Sequence, residues 1–168
     1  GQFPNNFKDL KKLKGVGDYT AAAIASIVYD ESVPAVDGNM FRVFARYFNI
    51  TDDISSPKTK KIFWDLGLEI IDKKRPGDFN QAVMDLGATI CTPKQPKCEI
   101  CPFNESCEAL RLNKVNELPI KLKKTKVSNR FLHFILIENE DKIALSKRIG
   151  NDVWKNLFTF PKIETETD

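Results

Sequence analysis

All four cysteines of this chain, Cys91, Cys98, Cys101 and Cys107, fall in one run, CTPKQPKCEICPFNESC, separated by six, two and five residues. Thiolates so close in sequence converge on one centre when the chain between them turns tightly, and Pro93, Pro96, Pro102 and Asn104 supply the breaks. The run therefore predicts a metal loop. Disulfide pairing is disfavoured, because no secretory pattern precedes the cysteines. Spacing alone leaves the metal open, since tetrahedral thiolate sites suit zinc and iron-sulfur clusters alike.

The remaining composition frames that loop. With 168 residues, 42% hydrophobic and 29% charged, the chain can build one core and the start of a second. No apolar run approaches the roughly 20 residues that span a bilayer, and no signal-peptide pattern opens the sequence. A bacterial-type cytoplasmic, nucleoid-associated protein with no membrane partner is expected. The net charge of +3 and pI near 8.6 permit a polyanionic partner without requiring one. Distribution says more: Arg111, Lys114, Lys121, Lys123, Lys124, Lys126 and Arg130 face a single acid, Glu117, between residues 111 and 130. That segment reads either as a solvated basic linker or as a track for a phosphate backbone.

Three stretches organise the chain. From Phe7 to about Ala88 apolar residues recur at helical spacing, as in Ala21, Ile24, Ala25, Val28 and in Phe41, Phe44, Ala45, Phe48. Pro57 suits the first turn of a third helix carrying Ile62, Leu66 and Ile70 on one side, and a fourth follows Pro76 and Gly77. Phe41, Phe44, Phe48, Phe63 and Trp64 fall at core spacing. After Arg130 the pattern turns to strands, FLHFILIEN, KIALSKR and FTFP, and His133 reads as a strand residue without companion ligands. Three strands make a poor independent domain.

The strongest local pattern beyond the cysteines is LKKLKGVGDYTAAAIAS, residues 10–26. Gly15 and Gly17 flank Val16 directly before a helical run, so the turn can adopt backbone angles closed to other residues and leave amide N–H groups free. Free amides at a helix start bind phosphate. Further on, VPAVDGNMFRVFARYF places Asp37 before Gly38 and an apolar-periodic helix, where it reads as an N-cap.

Hairpin, aspartate and six-two-five cysteine loop, together and in this order, resemble the helix-hairpin-helix DNA glycosylases that carry a 4Fe-4S cluster. Within that superfamily the chain is similar to the MutY-type adenine glycosylases. Tyr19 stands where endonuclease III-type relatives place a Schiff-base lysine, and FNQAVMDLGATICT and WKNLFTFP match the adenine enzymes as well. The resemblance implies a mainly α fold: a partial helix-hairpin-helix glycosylase domain over residues 1–110 with the cluster loop at 91–107, a basic linker over 111–130, and the truncated start of a Nudix-like α/β domain over 131–168. It implies a monofunctional base-excision-repair enzyme that hydrolyses the N-glycosidic bond of adenine mispaired with 8-oxoguanine or guanine, acting as a monomer on double-stranded DNA.

Residue by residue, the resemblance makes Asp37 the catalytic carboxylate, with Tyr19 and Asn39 orienting it and the attacking water, and Gln81 a pocket residue. Gly15, Val16, Gly17 and Thr20 would grip a DNA phosphate, Lys94 and Lys97 would present charge to the backbone, and Cys91, Cys98, Cys101 and Cys107 would hold the 4Fe-4S cluster. The family's general acid, a glutamate, lies upstream of the hairpin and outside these residues, so the chain is expected to be an internal fragment that is inactive alone. Two other readings stay open: a non-catalytic iron-sulfur DNA-binding module, and an endonuclease III-like glycosylase/lyase in which another lysine, such as Lys14, supplies the amine.

Overall fold

Asn6 starts the first helix, its side chain accepting the Asp9 amide at 2.9 Å, and α1 runs from Phe7 to Leu10. The computed structural model describes residues 1–122 and 128–166, and the chain divides into a first unit, Gly1–Lys124, and a second, Thr125–Asp168. After α1 the chain turns through Gly15, whose φ of +86° is the left-handed conformation that glycine adopts without strain. Helix α2 spans Asp18–Tyr29, starting two residues before Thr20. It buries Ala21, Ala22, Ala25 and Ser26 against Leu10, Val33 and Ala35. Val28, expected on the inner face, is exposed. The small side chains let α2 approach its neighbours closely, so the alanine face turns inward and the larger valine is left outside.

A segment over residues 30–37, left-handed at Asp30 and extended at Asp37, leads to α3 (Gly38–Tyr47), followed by α4 (Pro57–Ile70) and α5 (Pro76–Thr89), each of the last two with proline in its first turn, where a missing N–H costs nothing. The α4 face differs from the one anticipated. Thr59, Phe63 and Gly67 are buried, whereas Ile62 and Ile70 remain more than a third exposed. Gly67 decides this: a Cβ there would sit 2.6 Å from the Pro34 Cβ, so the helix presses its glycine onto the segment before α3 and rotates Ile62 and Ile70 outward. Phe44 and Phe63 join Met40, Val43 and Ala45 in the core, and Phe41 packs edge-on against Phe63 at 4.9 Å. Trp64 is half-buried against Phe7, and Phe48 is 38% exposed, so the latter is a rim residue and not a core one.

Two single-turn 3₁₀ segments, Cys98–Ile100 and Asn104–Ser106, and the short α6 (Glu108–Arg111) shape the cysteine loop. Residues 112–122, still within the first unit, pack back onto its helices. Leu118 is buried with Met40 and Ala109, the Ile54 amide donates to the Ile120 carbonyl at 3.0 Å, and the Asp53 carboxylate accepts the Leu122 amide at 3.1 Å. The basic stretch therefore contributes Leu118 to the core, with Val115 and Ile120 packed against it, and is held by its backbone as far as residue 122, whose side chain is exposed. Lys123, Lys124 and Lys126 lie outside the described residues.

In the second unit, three antiparallel pairs form: β1 (Phe131–Phe134) with β6 (Lys162–Thr165), β2 (Glu138–Asn139) with β3 (Lys142–Ile143), and β4 (Ser146–Lys147) with β5 (Phe158–Thr159). FLHFILIEN is thus two strands interrupted at 135–137, and β6 carries no alternation strong enough to announce it. His133 is a β1 residue whose ring pairs with the Thr165 hydroxyl at 2.9 Å. Arg130 donates to both Asp152 and Glu164, and Arg148 to Asp152. Chiefly through the hydrogen bonds from Arg130, this cluster holds the Asp152 carboxyl well below the usual carboxylate range. No helix among the described residues is long and apolar enough to cross a membrane.

Candidate functional site

Asp37 closes the segment over residues 30–37 and opens α3. One carboxylate oxygen accepts the Met40 amide at 2.8 Å, and the other accepts the Asn39 side-chain N–H at 2.8 Å. The cap and the asparagine together leave this carboxylate a single orientation. Asn39 is held in turn, because its carbonyl oxygen accepts from the Arg42 guanidinium at 2.8 Å. Arg42 also donates to the Gly87 and Cys91 carbonyls, each at 2.6 Å. A chain of hydrogen bonds thereby runs from Asp37 through Asn39 and Arg42 to the first cysteine. Burial pulls the Arg42 guanidinium below its ordinary value, opposed by the Cys91 thiolate and the Asp37 carboxylate.

Helix α5 brings Tyr19 to the same neighbourhood. The Tyr19 hydroxyl donates to the Met84 sulfur at 3.2 Å, and three residues on, the α5 backbone passes so close to Asn39 that a Cβ on Gly87 would lie 2.6 Å from the Asn39 Cβ. Gln81, three residues before Met84 on α5, donates to Asp85 at 2.8 Å; it does not hydrogen-bond Asp37. Beside Tyr19 a hollow of about 560 Å³ is lined also by Val36, Phe41, Lys60, Lys61 and Trp64. The Gly87 contact makes a testable point. Gly87→Ala should displace Asn39 and cost about 1 to 3 kcal/mol of stability, which thermal melting of the variant beside the parent measures.

The hairpin is exposed at Gly15, Gly17 and Thr20, with Val16 half-buried under it and its amide donating to Leu13. No side chain caps the start of α2, so its first-turn amides are open to an anion. Lys94 and Lys97 are exposed on the cysteine loop.

The cysteines line one hollow together with Arg46, Ile90, Pro96, Leu110 and Val115. Four thiols lining one hollow are a donor set that fits a thiolate-bound metal or iron-sulfur centre. Burial, followed by the neighbouring Cys91 and Cys107 thiolates, pushes the Cys98 thiol above its ordinary value, with Arg46 opposing. Four thiolates here need a cationic centre to offset their repulsion. Arg46, also buried, donates to the Cys91 sulfur at 3.3 Å, to the Thr92 carbonyl at 2.8 Å and to the Leu118 carbonyl at 3.0 Å.

Arg42 and Arg46 are functional neighbours that pattern reading passed over. Their signal was present as two arginines one helical turn apart inside an otherwise apolar helix, a placement that solvent alone does not favour.

The first unit therefore holds a hairpin ahead of an uncapped helix, an aspartate fixed at the start of α3 and a four-thiol loop linked to it through Asn39 and Arg42. Residues 1–27 match the helix-hairpin-helix motif, and residues 91–107 match the iron-sulfur binding domain of endonuclease III. The chain is 37% identical over 165 residues to an adenine DNA glycosylase of Buchnera aphidicola subsp. Schizaphis graminum, covering 98% of this chain, and 38% identical over 175 residues to an adenine DNA glycosylase of Arabidopsis thaliana, covering 96%. It spans 48% and 28% of those proteins' own lengths. Among solved structures, a thermostable thymine-DNA glycosylase superposes with a TM-score of 0.59 at 33% identity, over 67% of this chain and 51% of that one. Nearly the whole of this chain is thus similar to part of the adenine DNA glycosylases, and its cysteine loop matches an iron-sulfur binding domain.

Proposed function

We propose that the protein excises adenine mispaired with 8-oxoguanine or guanine from double-stranded DNA, as a monofunctional, monomeric, nucleoid-associated glycosylase, and that residues 91–107 hold a 4Fe-4S cluster. The observation that carries this reading is the Asp37 carboxylate held in one orientation by Met40 and Asn39. An anion so placed can face the cationic sugar that develops as the glycosidic bond breaks, the role of the second carboxylate in glycoside cleavage. Tyr19, anchored on Met84, borders the site and offers a phenol, which cannot form a Schiff base with the sugar. A target adenine would have to leave the duplex stack to reach these groups.

Around the site, the hairpin amides at Gly15 and from Gly17 to Thr20, with Val16 packed beneath them, would take a backbone phosphate, and Lys94 and Lys97 would add charge to the backbone contact. Gln81 would contact the base by turning away from Asp85. The cluster, bonded through Cys91, Cys98, Cys101 and Cys107, would supply a covalent cross-link to a loop with little core of its own. Residues 131–168 fit the beginning of a Nudix-like lesion-recognition domain.

The test is single-turnover incubation of the full-length protein with a duplex carrying adenine opposite 8-oxoguanine. Free adenine, an intact strand until alkali treatment and no borohydride-trapped adduct are expected. Duplex binding without adenine release would establish a non-catalytic module, and strong trapping would establish a lyase.

A further inference from the structure

Asn80 is fully buried in the middle of α5, and the site as described above makes no use of it. Its side chain nevertheless satisfies three bonds at once. The carbonyl oxygen accepts the Ala35 amide at 2.9 Å, while the amide nitrogen donates to the Val33 carbonyl at 2.9 Å and to the Ser26 hydroxyl at 2.8 Å. Residues i and i+2 of an extended chain point their polar groups the same way, so one side-chain amide can pair with both, as a neighbouring strand would.

That pairing matters because of where the segment leads. Residues 30–37 belong to no helix or strand, and Asp37 is its last residue. Pro34, also fully buried, is pressed from the opposite side by Gly67 of α4. Gly77 brings the start of α5 against α2, where a Cβ would sit 2.9 Å from the Ser26 carbonyl oxygen, and this close approach lets Asn80 reach Ser26 one turn further on. The Ser26 hydroxyl donates onward to the Ala23 carbonyl at 3.2 Å. Asn80 thus joins α5, α2 and the approach to the candidate carboxylate at one buried point.

We propose that Asn80 is a positioning residue for Asp37: it sets the path of residues 33–35 and, through them, where the carboxylate stands relative to α5. The inference rests on Asp37 being the catalytic group. Misplacing a reacting group by about 1 Å costs roughly 100-fold in rate. In the cluster-loaded full-length protein, Asn80→Ala should lower the single-turnover rate of adenine release by about that factor, while affinity for a duplex carrying a non-hydrolysable adenine analogue and the iron content per protein stay near wild type. Hydrogen exchange should show the Ala35 amide losing protection while the α2 and α5 amides keep theirs. If Asn80→Ala fails to fold, Asn80→Asp serves, since it keeps the acceptor for Ala35 and loses the donor to Val33; a smaller rate loss with unchanged affinity is expected. A wild-type rate per folded molecule in either variant, or loss of rate and affinity in equal measure, would overturn the proposal. Asp37→Asn measured alongside separates the two ideas: if it retains turnover, the assignment of Asp37 itself has failed, and if it alone abolishes turnover, only the role of Asn80 has.

Discussion

Asp37→Asn should lower adenine excision by about 10³-fold, the scale on which removing one charge-stabilising group acts in an active site, and should leave stability and duplex affinity nearly unchanged. The substitution is informative because asparagine caps a helix as well as aspartate does. Its side-chain oxygen can still accept the Met40 amide, so α3 keeps its start, while the negative charge proposed to face the sugar, and with it the acceptor for the Asn39 side chain, is gone. Two roles that coincide in one side chain are thereby separated. Single-turnover rates, melting temperature and duplex titration on one preparation provide the measurement. Retained turnover in a well-folded variant would leave Asp37 only its capping role.

Arg46→Met should produce the largest loss of stability. The methionine can fill much of the space of the arginine stem, so the change removes hydrogen bonds more than volume. The Thr92 and Leu118 carbonyls and the Cys91 sulfur then lose a donor, in a place where the guanidinium is only 2% exposed. Breaking a buried charged network typically costs about 3 to 5 kcal/mol, a drop of roughly 10 to 20 °C in melting temperature for a unit of this size. The cysteine loop should loosen first, because Arg46 bonds residues on both sides of it. Loss of bound iron before helical content, followed by heating under anaerobic conditions, is the expected sequence. Arg46→Lys should recover only part of the loss, since one ammonium cannot span acceptors that a forked guanidinium reaches. Simultaneous loss of iron and helix would show that the arginine supports the whole unit and not the loop in particular.

Several parts of this arrangement were legible in the residue order. The cysteine spacing announced the loop, GVG the hairpin and Asp37 a helix start, because each depends on contacts within a few residues. Pro57 and Pro76 marked helix starts for the same reason. Patterning served less well where more than one face was apolar. Helix α4 offers Ile62, Leu66 and Ile70 as a plausible stripe, yet the contact between Gly67 and Pro34 turns Thr59 and Phe63 inward. In the second unit, FLHFILIEN reads as one strand but pairs as two short ones, since a strand ends where its partner's ladder does.

The sequence by itself determined which groups are available for chemistry: four thiols in one loop, a glycine hairpin, an aspartate at one helix start and a tyrosine at another. These are local facts, set by chain geometry over a handful of residues. Only the tertiary structure decided how they are connected. Arg42 and Arg46 drew no reading from the pattern, and become the bonds between α3 and the cysteine loop because carbonyls from residues 87, 91, 92 and 118 converge on them. Asn80 likewise drew no reading, and becomes the partner of Val33 and Ala35, which lie in no strand, because α2, α4 and α5 close around residues 33–35. A buried polar group must find its partners wherever the fold places them, and those partners lie tens of residues away in the chain.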